Sequence, residues 1–492
     1  MKYRIFPSIG IARLGEDTDF FLGPEQPRAG SGELQPDGTT KPVARYKDAS
    51  GTKIRKQGTR FHLFESSDGI TWSPAGLPST ATVTWTVTLE NKKSAVTRPA
   101  IPPIGPVRPQ VPAGNQPLVI SGGTKTISGP GAVSTPFIGP YSTTASNGTP
   151  YRVDVELGQL RTDNQGRLIV LGGKGFSSAP PGTSLGASFY RNPKWHDDVA
   201  DGPVTAKIQL SPGAIPIDAE GGAWAIVAPP DYAPGIDCVV TLYDVMRQLG
   251  IGTFGLPAPG VPSFDLDIDP ILTRVRRLRW VHNDAAWSAP QLDSPRLRSR
   301  ADADKPLRLS VQNLVLKVET EFDGHVSSTG PPFRLRAFQR EMLDDWAAGS
   351  FDDTPVAANS SLSAEGLTRA SLEGAAGQGF CPGIEAGIIV LDSTLYTTPF
   401  DYRIDHSSVS PGDFTALMAQ PWQADFLKCN TTWWPTQRPD LAPQSDGTNK
   451  DWIRGAESHQ LLVQRSARLG LVVRQGAGEV FLEVERDPSM PS

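Results

Sequence analysis

The chain has 492 residues, 47 Lys and Arg against 52 Asp and Glu for a formal net charge of −5, and three cysteines, Cys238, Cys381 and Cys429. Balanced charge leaves no basic footprint for nucleic acid and no polybasic membrane patch, and an odd, widely spaced trio of cysteines excludes a disulfide framework. With 49 Gly and 46 Pro, the composition implies many turns joining short strands rather than a helical bundle. The length exceeds what one hydrophobic core usually covers, which allows several domains or one large elaborated unit. The N-terminal "MKYRIFPSIGIARLG" lacks a signal-peptide core, and no window approaches the roughly 18 apolar residues of a membrane span, so a cytoplasmic protein is expected.

Strand signals come first along the chain. In "ATVTWTVTLENK" (81–92), Val83, Trp85, Val87 and Leu89 alternate with polar residues, the period of a half-buried strand. The stretch 98–117 carries proline too often for a helix or central strand and reads as an extended surface arm or as a wrapping segment that meets a partner subunit. A glycine-rich loop is expected over 121–150, then a hairpin over 151–173 turning at Asp163–Gly166. Strands are expected at 205–210, 223–230 and 238–246, and "RVRRLRW" (274–280) reads as a solvated strand face. Helices are expected at 333–349, ended by Gly349, and at 457–470, ended by Gly470. The fold class is therefore mainly β, with antiparallel sandwich-like sheets, long loops and a few helices. A β-rich part (1–295) and a mixed α+β part (296–492) are expected to form one integrated catalytic unit.

Familiar chemistry is missing. Six histidines are scattered singly with no metal-ligand spacing, so no metal is expected. There is no phosphate loop, no G-x-S-x-G elbow and no dinucleotide fingerprint, and "GGKG" (172–175) reads as a loop. Asp197, Asp198 and Asp201 in "KWHDDVADGP" suggest calcium ligands but lack a closing glutamate, and a turn held by Asx side chains is expected.

One segment stands apart, "PWQADFLKCNTTWWP" (421–435). Asp425 and Cys429 are four residues apart, which on a helix stacks them within roughly 6 Å between Cβ atoms. Fully extended, Cys429 and Trp433 would stand roughly 13 Å apart, so any chemistry between thiol and indole needs the chain to turn there. Spacing alone is equally met by a buried free cysteine packed on aromatics.

Further segments bear on that choice: "IFPSIGIARLG" with "FFLGPE", "KWHDDVADGPV", "AWAIVAPPDYAPGI" with "VVTLYDV", "GFCPGIE", "FDYRIDHSSVSPGDFTALMAQPWQADF" and "WWPTQRPD". In this order, across nearly the whole length, they resemble the LodA-like family of cysteine tryptophylquinone amino-acid oxidases, the lysine ε-oxidases and glycine oxidases. The resemblance implies a cofactor made from the chain's own side chains, with Cys429 linked as a thioether to an oxygenated tryptophan. That tryptophan is Trp434 or Trp433, and Trp434, just before the proline, better fits the family pattern. Asp425 would be the general base, its pKa raised by burial against Trp422 and Phe426, and would also assist maturation.

The implied reaction oxidises a primary amine with O2 and water to an aldehyde or 2-oxo acid, ammonia and hydrogen peroxide. A separate flavin-dependent monooxygenase would mature the cofactor, and a homo-oligomer is expected. Arg403, His406, Arg438 and Glu385 are candidates for holding a substrate carboxylate or orienting the quinone. Cys381 is expected to be a buried inert thiol. Only three residues separate Cys429 from Trp433, where the family carries longer insertions, which implies a differently shaped pocket or a quinone-free paralogue serving as a binding, scaffold or tailoring protein. A carboxylate hydrolase using Asp197, Asp198 and Asp425 is a third class; it would keep its activity without Cys429.

Overall fold

The computed structural model describes residues 1–95, 118–186, 192–321, 334–356, 361–377, 386, 388–428 and 436–491, without the side chains of 320, 321, 388, 425, 427 and 428. The proline-rich arm at 98–117 lies outside the described residues. In chain order the first strands are β1 (Lys2–Phe6), β2 (Ile9–Arg13), the short β3 to β5 (Phe20–Leu22, Gly32–Leu34, Thr40–Pro42), β6 (Lys56–Ser66), β7 (Ser73–Pro74) and β8 (Thr82–Asn91). Then come β9 (Ile120–Ser128), β10 (Phe137–Thr144), β11 (Pro150–Thr162), β12 (Leu168–Gly172), β13 (Ala200–Gln209), β14 (Ile217–Asp218) and β15 (Ala223–Ala228). Among the described residues these form one sheet system with the main path β10-β11-β12-β6-β2-β15-β13-β8-β9.

The path curls until its ends pack together. A Cβ on Gly139 of β10 would stand 2.5 Å from the Ser121 carbonyl oxygen of β9, so only glycine permits that approach. Most pairs are antiparallel, but β15 runs parallel to β2, with Ile226 opposite Ile11. Both strands are buried along their whole length, as a parallel pair covered on two faces requires. Alternation in β8 buries Trp85, Val87 and Leu89. The hairpin of β11 and β12 turns over Asp163–Gly166, where Asp163 Oδ1 accepts from Gln165 N and Arg167 N.

Helices cover this frame: α1 (Leu242–Phe254), α2 (Asp269–Arg277), α3 (Lys305–Glu321), α4 (Ala337–Ala348), α5 (Ala364–Glu373), α6 (Trp422–Lys428) and α7 (His459–Arg465). Two small hairpins complete it, β16 with β17 (Leu441–Pro443 with Asn449–Asp451) and β18 with β19 (Leu471–Arg474 with Phe481–Val484). As expected, Gly349 ends α4 in the left-handed conformation. One apolar cluster runs from Ile5 and Trp224 through Leu272, Trp346 and Trp422 to Trp452 and Phe481. No described helix is long and apolar enough to cross a membrane.

Four local expectations are corrected. The 238–246 stretch is not a strand: Thr241 accepts from Asp244 N while Asp244 accepts from Thr241 N, a capping box that starts α1. "RVRRLRW" is the end of α2 and a following 3-10 turn, because Ile271, Leu272, Val275 and Leu278 recur with helical spacing and are buried. Its Arg274 is an interior residue, paired with Asp244 at 2.9 Å and Glu373 at 3.2 Å. The glycine-rich 121–150 region forms most of β9 and β10 rather than a loop. Finally, α7 stops at Arg465, and Gly470 does not cap it; a side chain there would collide with Glu483.

Candidate active site

The helix α6 is seven residues long, too short to hold itself together in water. Pro421 precedes it, and Trp422, Gln423, Ala424 and Phe426 are all buried, so its placement comes from the surroundings. At its N-terminal end Asp197 Oδ2 accepts from Trp422 N at 2.9 Å and from Lys93 Nζ at 2.7 Å. Lys93 Nζ also donates to Ala419 O at 2.6 Å, and Asn192 Nδ2 donates to Gln420 O at 2.9 Å. Gln420 Nε2 in turn donates to Ser94 Oγ at 2.7 Å and to the Trp195 carbonyl. On one flank Ser177 Oγ donates to Gln423 Oε1 at 2.7 Å, which knits the helix to the loop after β12.

Aromatic rings form the other wall. Trp422 stands edge-on to Phe426 at 5.1 Å, Phe426 to Tyr232 at 5.9 Å, and Tyr232 to Trp452 at 4.8 Å. At the far end Arg438 Nε donates to Phe426 O at 2.5 Å, while Arg438 Nη1 donates to Asp440 Oδ1 at 2.8 Å. The residue just before it, Gln437, accepts from Tyr232 N at 3.0 Å, and Thr436 Oγ1 meets Cys238 Sγ at 2.8 Å. Positions 426 and 438 are thus joined, although an extended chain of that length would span roughly 40 Å. The two ends flanking 429–435 therefore stand together against Tyr232.

A cavity of about 450 Å³ opens beside α6, lined by Trp422, Tyr232, Phe176, Ser177, Lys174 and Arg468 among others. It sits past the C-terminal ends of the parallel pair β2 and β15, whose following residues Gly15 and Pro230 line it too. A cavity of about 490 Å³ elsewhere is walled in part by Glu25 and Arg60, which already neutralise each other. Burial leaves the Trp422 indole N–H without a hydrogen-bond partner among the described residues.

The acidic cluster leading into β13 is not an Asx turn. All three carboxylates are buried and serve distant segments. Asp197 supports α6. Asp198 Oδ2 accepts from Gly175 N at 2.7 Å and Phe176 N at 3.2 Å, shaping the loop that walls the cavity. Asp201 accepts from Trp224 Nε1, Thr415 N and Thr415 Oγ1 at 2.9, 2.7 and 2.7 Å, and from Phe414 N at 3.3 Å. With Asp197 neutralised by a lysine and Asp198 bound to backbone amides, these groups are not arranged as a hydrolytic carboxylate pair.

Burial, and next the charge of Asp197, push the Asp198 pKa up to about 7. The raised value fixes the sign: below the unfolded pKa near 3.8 both states are protonated, and the fold progressively loses stability as pH rises through about 7. Asp198→Asn is expected to remove that slope, by about 2–4 kcal/mol between pH 4 and 8. Urea unfolding midpoints across that range, compared with the parent chain, check it.

The other candidates separate into distinct places. Arg403, expected at a substrate carboxylate, is buried with its donors on the carbonyls of Gly222 and Ile5 and its guanidinium over the Phe6 ring. His406 Nε2 lies 3.0 Å from the Ala223 carbonyl and the ring packs on Trp224; an oxygen partner makes Nε2 the donor. Both therefore stand at the opposite end of β15 from the cavity, about 17 Å along the strand, because they tie β1 and β15 to the 400–406 loop. Arg438 does adjoin α6, but its contacts with Phe426, Pro439 and Asp440 close the chain rather than face the cavity. Trp422, expected beside the cofactor, lines the cavity. Cys429, Trp433, Trp434, Glu385, Cys381 and the Asp425 side chain lie outside the described residues. Tyr232 stood inside "AWAIVAPPDYAPGI" with no role attached to it, and Lys93 gave no signal in the sequence; nothing near Lys93 marks it as a buried partner for Asp197, 104 positions away.

Comparison with known proteins agrees with this architecture. Residues 6–227 match the family profile described as L-Lysine epsilon oxidase N-terminal, and residues 328–452 match the L-lysine epsilon oxidase C-terminal domain. L-lysine 6-oxidase of Marinomonas mediterranea is 27% identical over 540 aligned positions, covering 87% of this chain and 71% of that protein. Two crystal structures of L-Lys epsilon-oxidase from the same organism, one of them its Schiff base intermediate with L-Lys, share the fold with TM-score 0.79 at 23% identity, covering 99% of this chain and 95% of theirs. The two profiles together take in well over half of the sequence, and the chain belongs to the LodA-like family.

Proposed function

We propose that this chain is a quinoprotein oxidase that deaminates a primary amine of an amino acid, glycine- or lysine-type, with O2 and water to an aldehyde or 2-oxo acid, ammonia and hydrogen peroxide. An amine oxidase using O2 is what membership of the family supports. The finer reading rests on a cysteine tryptophylquinone of Cys429 with Trp434 or Trp433. The observation that carries it is the junction of Phe426 with Arg438, which brings both ends of the 429–435 segment to one aromatic, buried place beside a cavity. The surroundings suit such a group: the buried Trp422 indole N–H in the wall has no partner among the described residues and can donate to a polar group.

When present, the quinone supplies an electrophilic carbonyl and an electron sink that no unmodified side chain offers. Asp425, on α6, would take the proton from the carbon bearing the amine. Trp422, Phe426 and Tyr232 are buried, and a carboxylate buried among them would be the stronger base. Substrate would enter through the cavity beside Trp422. A flavin-dependent monooxygenase would mature the chain, and the assembly would be a homo-oligomer.

Peroxide release screened over the common amino acids, with chain co-produced with its maturation flavoenzyme, tests the activity and names the substrate. Release with glycine or L-lysine supports the reading. A chain that releases none and keeps its translated mass is instead a quinone-free paralogue, the outcome to which the short Cys429-to-Trp433 spacing would then be traced.

A further inference from the structure

We propose that the buried Lys93–Asp197 pair is a positioning unit for the oxidase reaction: it sets where α6, and so Asp425 and the segment leading to Cys429, stand. The inference rests on the functional reading above and adds residues to it. Both side chains are almost wholly inaccessible, at 1% and 0%. A buried ion pair contributes little to stability by itself, because desolvation cancels most of the attraction, and apolar residues of similar size often replace it without loss. Its geometry here has a specific effect. Between them the two groups hold Ala419 O, three residues before α6, and Trp422 N, at its start.

The pair is itself held. Asn91 Nδ2 donates to Asp197 Oδ1 at 2.9 Å and to Asp197 O at 3.0 Å, and Lys93 N donates to Asn91 Oδ1 at 3.0 Å. Asn91 ends β8 and Asp197 lies three residues before β13, strands that are paired in register. The sheet thus fixes the carboxylate, and the carboxylate fixes the helix end. Position 425 follows Trp422 by just under one helical turn, so displacement of that end moves the general base directly.

The test uses full-length chain co-produced with its maturation flavoenzyme, as wild type, Lys93→Met/Asp197→Leu and Asp197→Glu. The double variant removes both charges together but leaves Trp422 N and Ala419 O without these partners, so its urea midpoint is expected below wild type; a structural role alone predicts that whatever chain folds also matures normally. Our expectation is a fall of at least tenfold in the fraction of chain carrying the cofactor mass and visible quinone absorbance. Asp197→Glu keeps the charge on Lys93 but moves the acceptor by one methylene, so it decides the matter if the double variant does not fold. Its matured fraction is expected to show a shifted pH profile of kcat and at least a tenfold lower kcat with KM little changed. Folded variants that mature and turn over like wild type would overturn the proposal. Wild type that carries no cofactor mass would overturn the functional reading and this inference with it.

Discussion

Replacement of Asp425 by asparagine is expected to lower amine turnover by about 10²- to 10⁴-fold, the usual contribution of a positioned general base. The amide cannot accept the substrate proton, while its similar shape should leave α6 in place, so the urea midpoint is expected to stay near that of the parent chain. Cys429→Ala removes the proposed thioether outright, and peroxide release should fall to background. The two variants therefore separate catalysis from cofactor assembly: Asp425→Asn would retain some matured chain, whereas Cys429→Ala would retain none. Trp433→Phe and Trp434→Phe, read for redox-cycling stain on a denaturing gel, assign the modified indole. Unchanged turnover in Cys429→Ala would instead favour a carboxylate-based enzyme.

The second large effect is structural. Asp201→Ala strips the partner from Trp224 Nε1, Thr415 N, Thr415 Oγ1 and Phe414 N, in a site with no exposure. Each buried donor left unsatisfied costs about 1–3 kcal/mol, and even with relaxation the sum should reach about 4 kcal/mol. Asp201→Asn keeps an acceptor in place and avoids ionising a group whose pKa burial raises to about 6, so its cost at pH 8 should be much smaller. Urea unfolding of both variants at that pH gives the comparison. Equal midpoints would mean that Thr415 and Trp224 do not depend on this carboxylate. Because Phe414 and Thr415 precede the turn into α6, the alanine variant should also lose matured chain.

Local patterns in the sequence carried over where the cause was local. The alternation of Trp85, Val87 and Leu89 needs only a pleated strand with one buried face, and Gly349 needs only a helix end. Thr241 and Asp244 were equally legible as a capping box, but the apolar run around them reads as a strand when periodicity is weighed before caps. Arg274 and its neighbours looked solvated because a run of arginines usually is, and the paired Asp244 and Glu373 that make burial tolerable come from other segments. The same limit governs the site. "HDDVAD" shows three carboxylates but not that Lys93, Trp422, Gly175 and Thr415 would claim them, since those contacts exist only once the sheet is closed. Arg438 is a similar case: a guanidinium next to a suspected substrate site suggests carboxylate binding, and chain closure at Phe426 O is visible only in three dimensions.

Resemblance along the chain identified the family and singled out the 421–435 segment; the folded chain adds that its flanks meet. That juxtaposition is what any bond between Cys429 and a neighbouring indole requires. The most direct test is intact mass of the purified chain after co-production with its maturation flavoenzyme. The expected mass is raised by two oxygen atoms less the hydrogens lost on oxidation and crosslinking, confined to a peptide containing Cys429 and Trp434 or Trp433. A mass equal to that of the translated sequence, with Cys429 alkylated as a free thiol, would contradict it.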